Sequence, residues 1–257
     1  MRISATTKTD AASPPELLEW DTEFWGLRVG RSRGVGDGDS LSRWALENTV
    51  GLMCLLIAAD DPTEAQRAED LGYRFMDVRA TLARSTAPYP AEAREHCASD
   101  VPLLRDFASV SHRITRFYAD PWLDDEACDR LYEQWVDSSC AGWADRVLVV
   151  EHDGQASGYI TVHLLDEGTA SIGLIAVSEG ARRNGLGGKL VRSAIDYAHS
   201  QGRHTITVVT QGRNIIAQRL FQACGFRTTA TELWYHRWYD DPPPPVRRES
   251  DHEGSGV

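Results

Sequence analysis

Between Arg182 and Lys189 the chain reads Arg182-Arg183-Asn184-Gly185-Leu186-Gly187-Gly188-Lys189, three cations and three glycines in eight residues. That mixture suits an anion. Glycines let a phosphate reach backbone N–H groups without a Cβ in the way, and a helix N-terminus leaves such groups unpaired with the dipole favouring negative charge. The flanking residues supply that setting. Ile172 to Val177 is a short apolar run rich in branched residues and reads as a buried strand; from Leu186 on, Leu190, Val191, Ala194, Ile195 and Ala198 follow at helical spacing. Two familiar phosphate loops are excluded: Lys189 is followed by leucine, where the P-loop needs serine or threonine, and no G-x-G-x-x-G occurs. A branched side chain at Gly187 is expected to block the approach of a phosphate.

The elements before and after must hold this turn in place. Leu17 to Arg33, with Trp20, Phe24 and Trp25 ahead of Gly26, reads as a β-rich opening. Ser40 is placed to cap a helix over Leu41 to Val50, and Leu52 to Ala59 is a buried strand. A helix opening at Pro62 ends near Gly72, and Tyr73 to Leu82 is a further strand. Residues 16–84 thus read as an amino-terminal α/β lobe, 85–98 with Pro88 and Pro90 as a linker, and 99–239 as a second, larger domain. In the latter, Asp100 and Asp124 open helices, and the loop Thr115 to Pro121 carries Arg116, Phe117 and Tyr118 as candidates for ligand contact, with plain packing as the alternative. Asp153-Gly154 marks a hairpin. After the glycine-rich helix come a strand over His204 to Thr210, a helix from Asn214 with Ile216, Ala217, Leu220, Phe221 and Cys224 inward, and a last strand on which Trp234, His236 and Trp238 share a face.

Composition narrows the classes. The chain has 257 residues, a net charge of −11 and five scattered cysteines without C-x-x-C spacing. An acidic protein offers no broad basic face for nucleic acid, and the cysteines read as free thiols in a reducing cytoplasm with no metal cluster. No apolar run is long enough to span a bilayer, so no membrane partner is expected. Residues 1–15 and the Pro-rich 240–257 read as disordered tails.

The R-x-x-G-x-G of Arg182 to Gly187, the strand before it, and Asn214 followed by a helix and Gly225-Phe226 resemble the GCN5-related N-acetyltransferase superfamily (GNAT). The resemblance spans about Val101 to Trp238. A narrower set is similar to the dTDP-fucosamine (dTDP-4-amino-4,6-dideoxygalactose) N-acetyltransferases: the TRFYADPW loop, Leu131 to Trp135, Ile172-Gly173-Leu174, Thr210-Gln211 and the amino-terminal aromatics. The resemblance implies an α/β (α+β) fold with a mixed central sheet flanked by helices, acetyl-CoA as acyl donor, and direct attack of an amine on the thioester. It implies that Ile175, Ala176 and Val177 hold the coenzyme arm and carbonyl, Ala176 and Val177 being the catalytic pair. Arg182, Arg183, Asn184, Gly185, Leu186, Gly187 and Gly188 would cradle the pyrophosphate, and Asn214 would contact the arm. Arg116, Phe117, Tyr118 and Gln211 would meet the acceptor, a nucleotide-linked amino sugar, in a chain that could pair as a homodimer.

One residue departs from the pattern. Where these enzymes commonly place a tyrosine as acid for the departing thiolate, this chain has Phe221, and Tyr235 or a water is the substitute the sequence offers. Acylation of another small-molecule, natural-product or protein amine, and non-catalytic binding of acyl-CoA, are the competing functions.

Overall fold

The apolar run at Ile172 lies in the middle of a long strand, and that strand sets the plan of the molecule. The computed structural model describes residues 14–90 and 92–239; the two expected tails fall outside the described residues except for Pro14 and Pro15. In chain order the elements are β1 (Glu16–Leu17), α1 (Glu19–Trp25), β2 (Val29–Arg33), α2 (Gly38–Glu47), β3 (Leu52–Ala58), α3 (Pro62–Asp70) and β4 (Arg74–Ser85). There follow β5 (Arg94–Glu95), α4 (Val101–Ser111), α5 (Arg116–Ala119), α6 (Asp125–Ser138), β6 (Arg146–His152), β7 (Gln155–Leu164), β8 (Thr169–Val177), α7 (Leu186–Ser200), β9 (Thr205–Gln211), α8 (Ile215–Ala223) and β10 (Arg227–Trp238). Among the described residues no helix is long and apolar enough to cross a membrane.

Among the described residues the ten strands form one mixed sheet, ordered β1-β2-β3-β10-β4-β9-β8-β7-β6-β5. The last strand is inserted between two of the first, antiparallel to both β3 and β4, and β4 is antiparallel to β9. The strands of 16–84 and those of 99–239 are therefore neighbours in a common ladder. One face of the sheet carries α2 and α3 over β3 and β10, through Leu41, Ala45, Ala68, Met53, Leu55 and Tyr235, and α7 and α8 over the other half, through Leu190, Val191, Ile195, Phe221, Ile160 and Val208. The opposite face is covered by α4, α5 and α6, through Leu104, Phe117, Leu131, Tyr132 and Val136.

The central pair β8 and β9 is parallel, but their register runs only from Thr169↔Thr205 to Ile172↔Val208. Beyond it β8 stays with β7 as far as Val177↔Gly158, and β9 stays with β4 as far as Gln211↔Arg79. The sheet opens between them at their carboxyl ends. A bulge opposite Thr161 begins the separation: Gly173 and Leu174 stand where one residue should, and Leu174 N–H donates to the Thr161 hydroxyl at 2.8 Å. Bulges bend the strand that carries them and increase its twist.

Several local expectations are corrected. Residues 17–33 are not wholly β: Trp20, Phe24 and Trp25 lie on α1, and Gly26, at φ 66°, is the left-handed stop of that helix. The aromatic spacing is helical, with Trp20 and Phe24 rings stacked at 5.3 Å. Helix α2 starts at Gly38 behind Asp37, and Ser40 instead donates to the Asp37 carboxylate at 2.6 Å. The segment after Thr115 winds into one helical turn, α5. Ile216 is 85% exposed on the outer face of α8, while Ala217, Leu220, Phe221 and Cys224 do pack inward. The hairpin at Asp153 and Gly154 has φ of 52° and 76°, as a type I′ turn requires.

The bulge leaves no room for a side chain. A Cβ on Gly173 would lie 2.6 Å from the Thr161 hydroxyl oxygen and 2.8 Å from His163 Nε2. Gly173→Ala should accordingly lower stability by about 1–3 kcal/mol through overpacking, read as a fall in Tm; an unchanged Tm would mean that the bulge has slack.

Candidate active site

The opening between β8 and β9 exposes strand backbone that would otherwise be paired. Ser178 N–H donates to Ser157 O and Leu174 N–H to Thr161, both toward β7. Backbone groups alternate in direction along a strand, so the N–H groups of Ile175 and Val177 face the gap. Ala176 does not: its carbonyl points at β7, 2.9 Å from where a Cβ of Gly158 would stand. Of the three strand residues expected to hold the arm, Ile175 and Val177 are placed for it. Ala176 supplies only its methyl group, buried beside Tyr159 and Leu174.

Past Val177 a 3₁₀ turn at Glu179–Ala181 leads to Arg183, at φ 66°, and Gly185, at φ 74°. These left-handed residues turn the chain into α7. Gly185 occupies the cap position and has no side chain to cap with. By contrast, Asp61, Asp124 and Asn214 each accept an N–H from the first turn of α3, α6 and α8. Arg182, Arg183 and Asn184 border the uncapped end of α7, with the Asn184 amide donating to Ala181 O. An anion is the partner this terminus lacks. Asn214 spends its oxygen on Ala217 N–H at 3.1 Å, and its NH₂ makes no hydrogen bond among the described residues. The side chain of Gln211 likewise makes none, its backbone carbonyl accepting from the Gln218 amide at 3.1 Å.

On the face covered by α5 and α6, polar groups gather at the mouth of the opening. The Arg116 guanidinium contacts two rings, its Cζ 4.0 Å from the centroid of Phe117 and 4.2 Å from that of Trp234, an arrangement that fixes a guanidinium without neutralising it. Its Nε is buried without a partner. Asp77 on β4 is 4% exposed; burial pushes its carboxyl up, against the pull of Arg213, the Val78 N–H and Arg116. Arg213 stands 3.7 Å from Asp77 and donates to Thr115 O at 3.3 Å. The Thr115 hydroxyl accepts from Tyr132 at 3.0 Å. His112, stacked on Tyr132 and 3.3 Å from the Tyr159 hydroxyl, is pushed down to about 4 by burial and is neutral.

Beside them Asp120, the residue after α5, is fully buried. It meets His236 Nδ1 at 2.7 Å and accepts from Trp238 Nε1 at 3.0 Å and from Trp122 N–H at 3.0 Å. Trp234, His236 and Trp238 do share a face, and that face pins the loop that follows α5 to β10. Burial alone would lower the pKa of His236; Cys54 across β3 and the Asp120 carboxylate outweigh it and push it up to about 9.

Four expected site residues lie elsewhere. Phe117 is buried against Trp25 and Trp135 and serves Arg116 only as a platform. Tyr118 is tied to Asp129 by a 2.6 Å hydrogen bond. Tyr235 faces the other side of the sheet and donates to Glu69 at 3.1 Å, its phenol raised to about 12 by burial and that carboxylate, so it does not reach the opening. Phe221 is 1% exposed and packs edge-on against Phe226 at 5.7 Å beneath α7. Asp77, Arg213, His112 and Asp120 were missed; a lone acid in the otherwise strand-like Phe75-Met76-Asp77-Val78 was the available signal for the first.

A mixed sheet parted between two parallel strands, beside an uncapped glycine-rich helix, is the arrangement of an acyl-coenzyme A transferase. Residues 107–226 match the acetyltransferase (GNAT) family. The chain carries a GNAT domain there and is by class an N-acetyltransferase. It is 26% identical over 232 residues to a dTDP-fucosamine acetyltransferase of Escherichia coli O6:H1, covering 86% of this chain and 97% of that one. With the spore coat polysaccharide biosynthesis protein SpsD of Bacillus subtilis it shares 27% identity over 139 residues, 54% of this chain and 48% of the relative. A GCN5-related N-acetyltransferase from Sphaerobacter thermophilus has the same fold, with a TM-score of 0.61 at 17% identity over 93% of this chain and 80% of the other.

Two outcomes are expected. Gly187→Val should abolish acetyl-CoA binding: besides narrowing the approach of a phosphate, its Cβ would lie 3.1 Å from Leu220 Cδ2, so Leu220 or the first turn of α7 must shift. Calorimetry showing wild-type affinity in the folded variant would remove this turn from the site. The second concerns His236. A group whose pKa is raised by folding lends its full stabilisation below its unfolded value of about 6.5 and loses it as the pH climbs through the folded value. Between about pH 6.5 and 9 the Tm of the wild type should therefore fall more steeply than that of His236→Gln; parallel curves would show that the ion pair with Asp120 carries no net stabilisation.

Proposed function

We propose that this chain transfers the acetyl group of acetyl-CoA to the amine of a nucleotide-linked amino sugar. The observation that carries the donor half is the opening between β8 and β9, where Ile175 and Val177 present N–H groups next to the uncapped α7. Amide groups of an extended coenzyme arm can complete the ladder that β9 abandons, and the pyrophosphate meets the helix N-terminus. Donors held at the thioester oxygen favour the charge that develops there when the amine attacks.

The acceptor half is supported by two things. The similarity to an enzyme named for dTDP-fucosamine extends over nearly all of that relative's length. The acceptor face also offers Arg116, held by two rings with its Nε unpartnered. On it lies a groove of about 390 Å³ lined by Trp20, Glu23, Phe24, Arg130 and Gln134, where a planar base could lie along the aromatics of α1. Attack, collapse and release of coenzyme A need no covalent enzyme intermediate. Phe221 cannot protonate the thiolate, which leaves that proton to water.

Thiol release from acetyl-CoA, measured with dTDP- and UDP-linked amino sugars beside simple amines, tests the reading. Turnover should be highest with a nucleotide amino sugar. Higher kcat/KM for an amine lacking the nucleotide would move the substrate to another class, and no thiol release with any amine would leave a binding protein.

A further inference from the structure

Asp77 has a position that neither the coenzyme nor the fold explains. Its neighbour Arg79 pairs with Gln211, the last residue of β9, and Gly212 N–H donates to Val78 O at 2.7 Å, so Asp77 stands one step past the point where β9 ends and the sheet lies open. Its cross-strand partner is Trp234, and partners share a face, so its carboxylate lies on the side of Arg116 and not on that of α7. One oxygen accepts the N–H of Val78 at 2.8 Å and faces Arg213 at 3.7 Å. The other accepts no hydrogen bond among the described residues. It is not among the fully buried unpaired atoms, so a small group entering from solvent can reach it.

Resting on the acetyl-transfer reading above, we infer that Asp77 is the catalytic residue that receives the acceptor as its ammonium ion and takes the proton that must leave before nitrogen can attack. The free oxygen accepts an N–H of R–NH₃⁺, and proton transfer gives R–NH₂ and the neutral acid. The nitrogen lone pair then forms the C–N bond at the thioester carbon, the C–S bond breaks, and coenzyme A leaves as thiolate. The second proton lost by nitrogen reaches the sulfur through water, and Asp77 returns its own to solvent. The groups that face Asp77 fit the task. Arg213 from the end of β9 and Arg116 from α5 favour the ionised form at rest, Tyr132 from α6 is an uncharged phenol, and burial makes the carboxylate a stronger base than one in water. Arg213 is itself fixed by the Thr115 carbonyl, which ties the base to the loop that carries Arg116.

The experiment uses the full chain and whichever amine of the panel the wild type acetylates fastest. Asp77→Asn should cut the single-turnover rate at pH 7 by about 10²–10⁴-fold, leave the calorimetric affinity for acetyl-CoA unchanged, and abolish the acidic limb of the kcat/KM profile. Asp77→Glu should restore part of the rate and the limb. Arg213→Gln, which removes a neighbouring cation from a half-exposed position, should move the acidic limb to higher pH. An Asp77→Asn rate within a few-fold of wild type, or an acidic limb that survives unmoved in Asp77→Asn and Arg213→Gln, would overturn the assignment while leaving acetyl transfer intact. Loss of acetyl-CoA affinity in parallel with rate would also overturn it, as a structural effect. If the wild type acetylates no amine at all, the reaction and its base fall together.

Discussion

Two parallel strands that start as partners and end apart leave half of each backbone without a neighbour, and in this molecule that imbalance organises the rest. Pairing is kept where β8 and β9 begin and given up after Ile172 and Val208. The cost of unpaired amide groups is tolerable only where water or a ligand can reach them. Everything needed to hold the gap open lies around it. The bulge at Gly173 bends β8 away, β4 holds β9 on the far side, and α7 and α8 are anchored on one face while α5 and α6 close the other. The glycine-rich turn is placed by the same strand, five residues before Arg182, so backbone donors and helix terminus come as one rigid unit.

Charge on the two faces is disposed differently. Arg182, Arg183 and Lys189 border the helix end near solvent and are not buried. On the face covered by α5 and α6, Asp77, Asp120 and His236 are packed away, each under 5% exposed. Buried charge is retained only when partners or ligands compensate it. Asp120 has two donors in β10 and one in its own loop, and is a fastening. Asp77 keeps an oxygen free and is not.

Much of this is legible in the sequence. The strand, glycine turn and helix around residues 172–198, the Asn214 cap, the Asp153-Gly154 hairpin and the shared face of Trp234, His236 and Trp238 all follow from periodicity and turn chemistry, which are local. What failed is what depends on partners. Periodicity identifies a strand but not its neighbour, so nothing in 16–84 revealed that β10 would lie between β3 and β4. The aromatics of α1 suit a strand as well as a helix until Gly26 is recognised as a stop. Phe117 and Tyr118 look like pocket residues because aromatic side chains serve pockets and cores alike, and only the Asp129 hydrogen bond and the contacts with Trp25 and Trp135 decide. The direction of Ala176 turns on a single-residue bulge, which no pattern of side chains announces.

The insertion of β10 has a consequence for how the chain acquires its shape. Cys54 and His236 are cross-strand neighbours separated by most of the sequence, and β3 and β4, though made early, meet only through the final strand. Contact order is therefore high in this half of the sheet, and loop-closure entropy must be met before the reward arrives. Until Arg227–Trp238 docks, the long apolar edge of Leu52–Ala58 is open to any other strand that reaches it first. Folding of this molecule is thus a race between its own last strand and a stranger's, and a chain interrupted before Arg227 lacks the strand that joins β3 to β4.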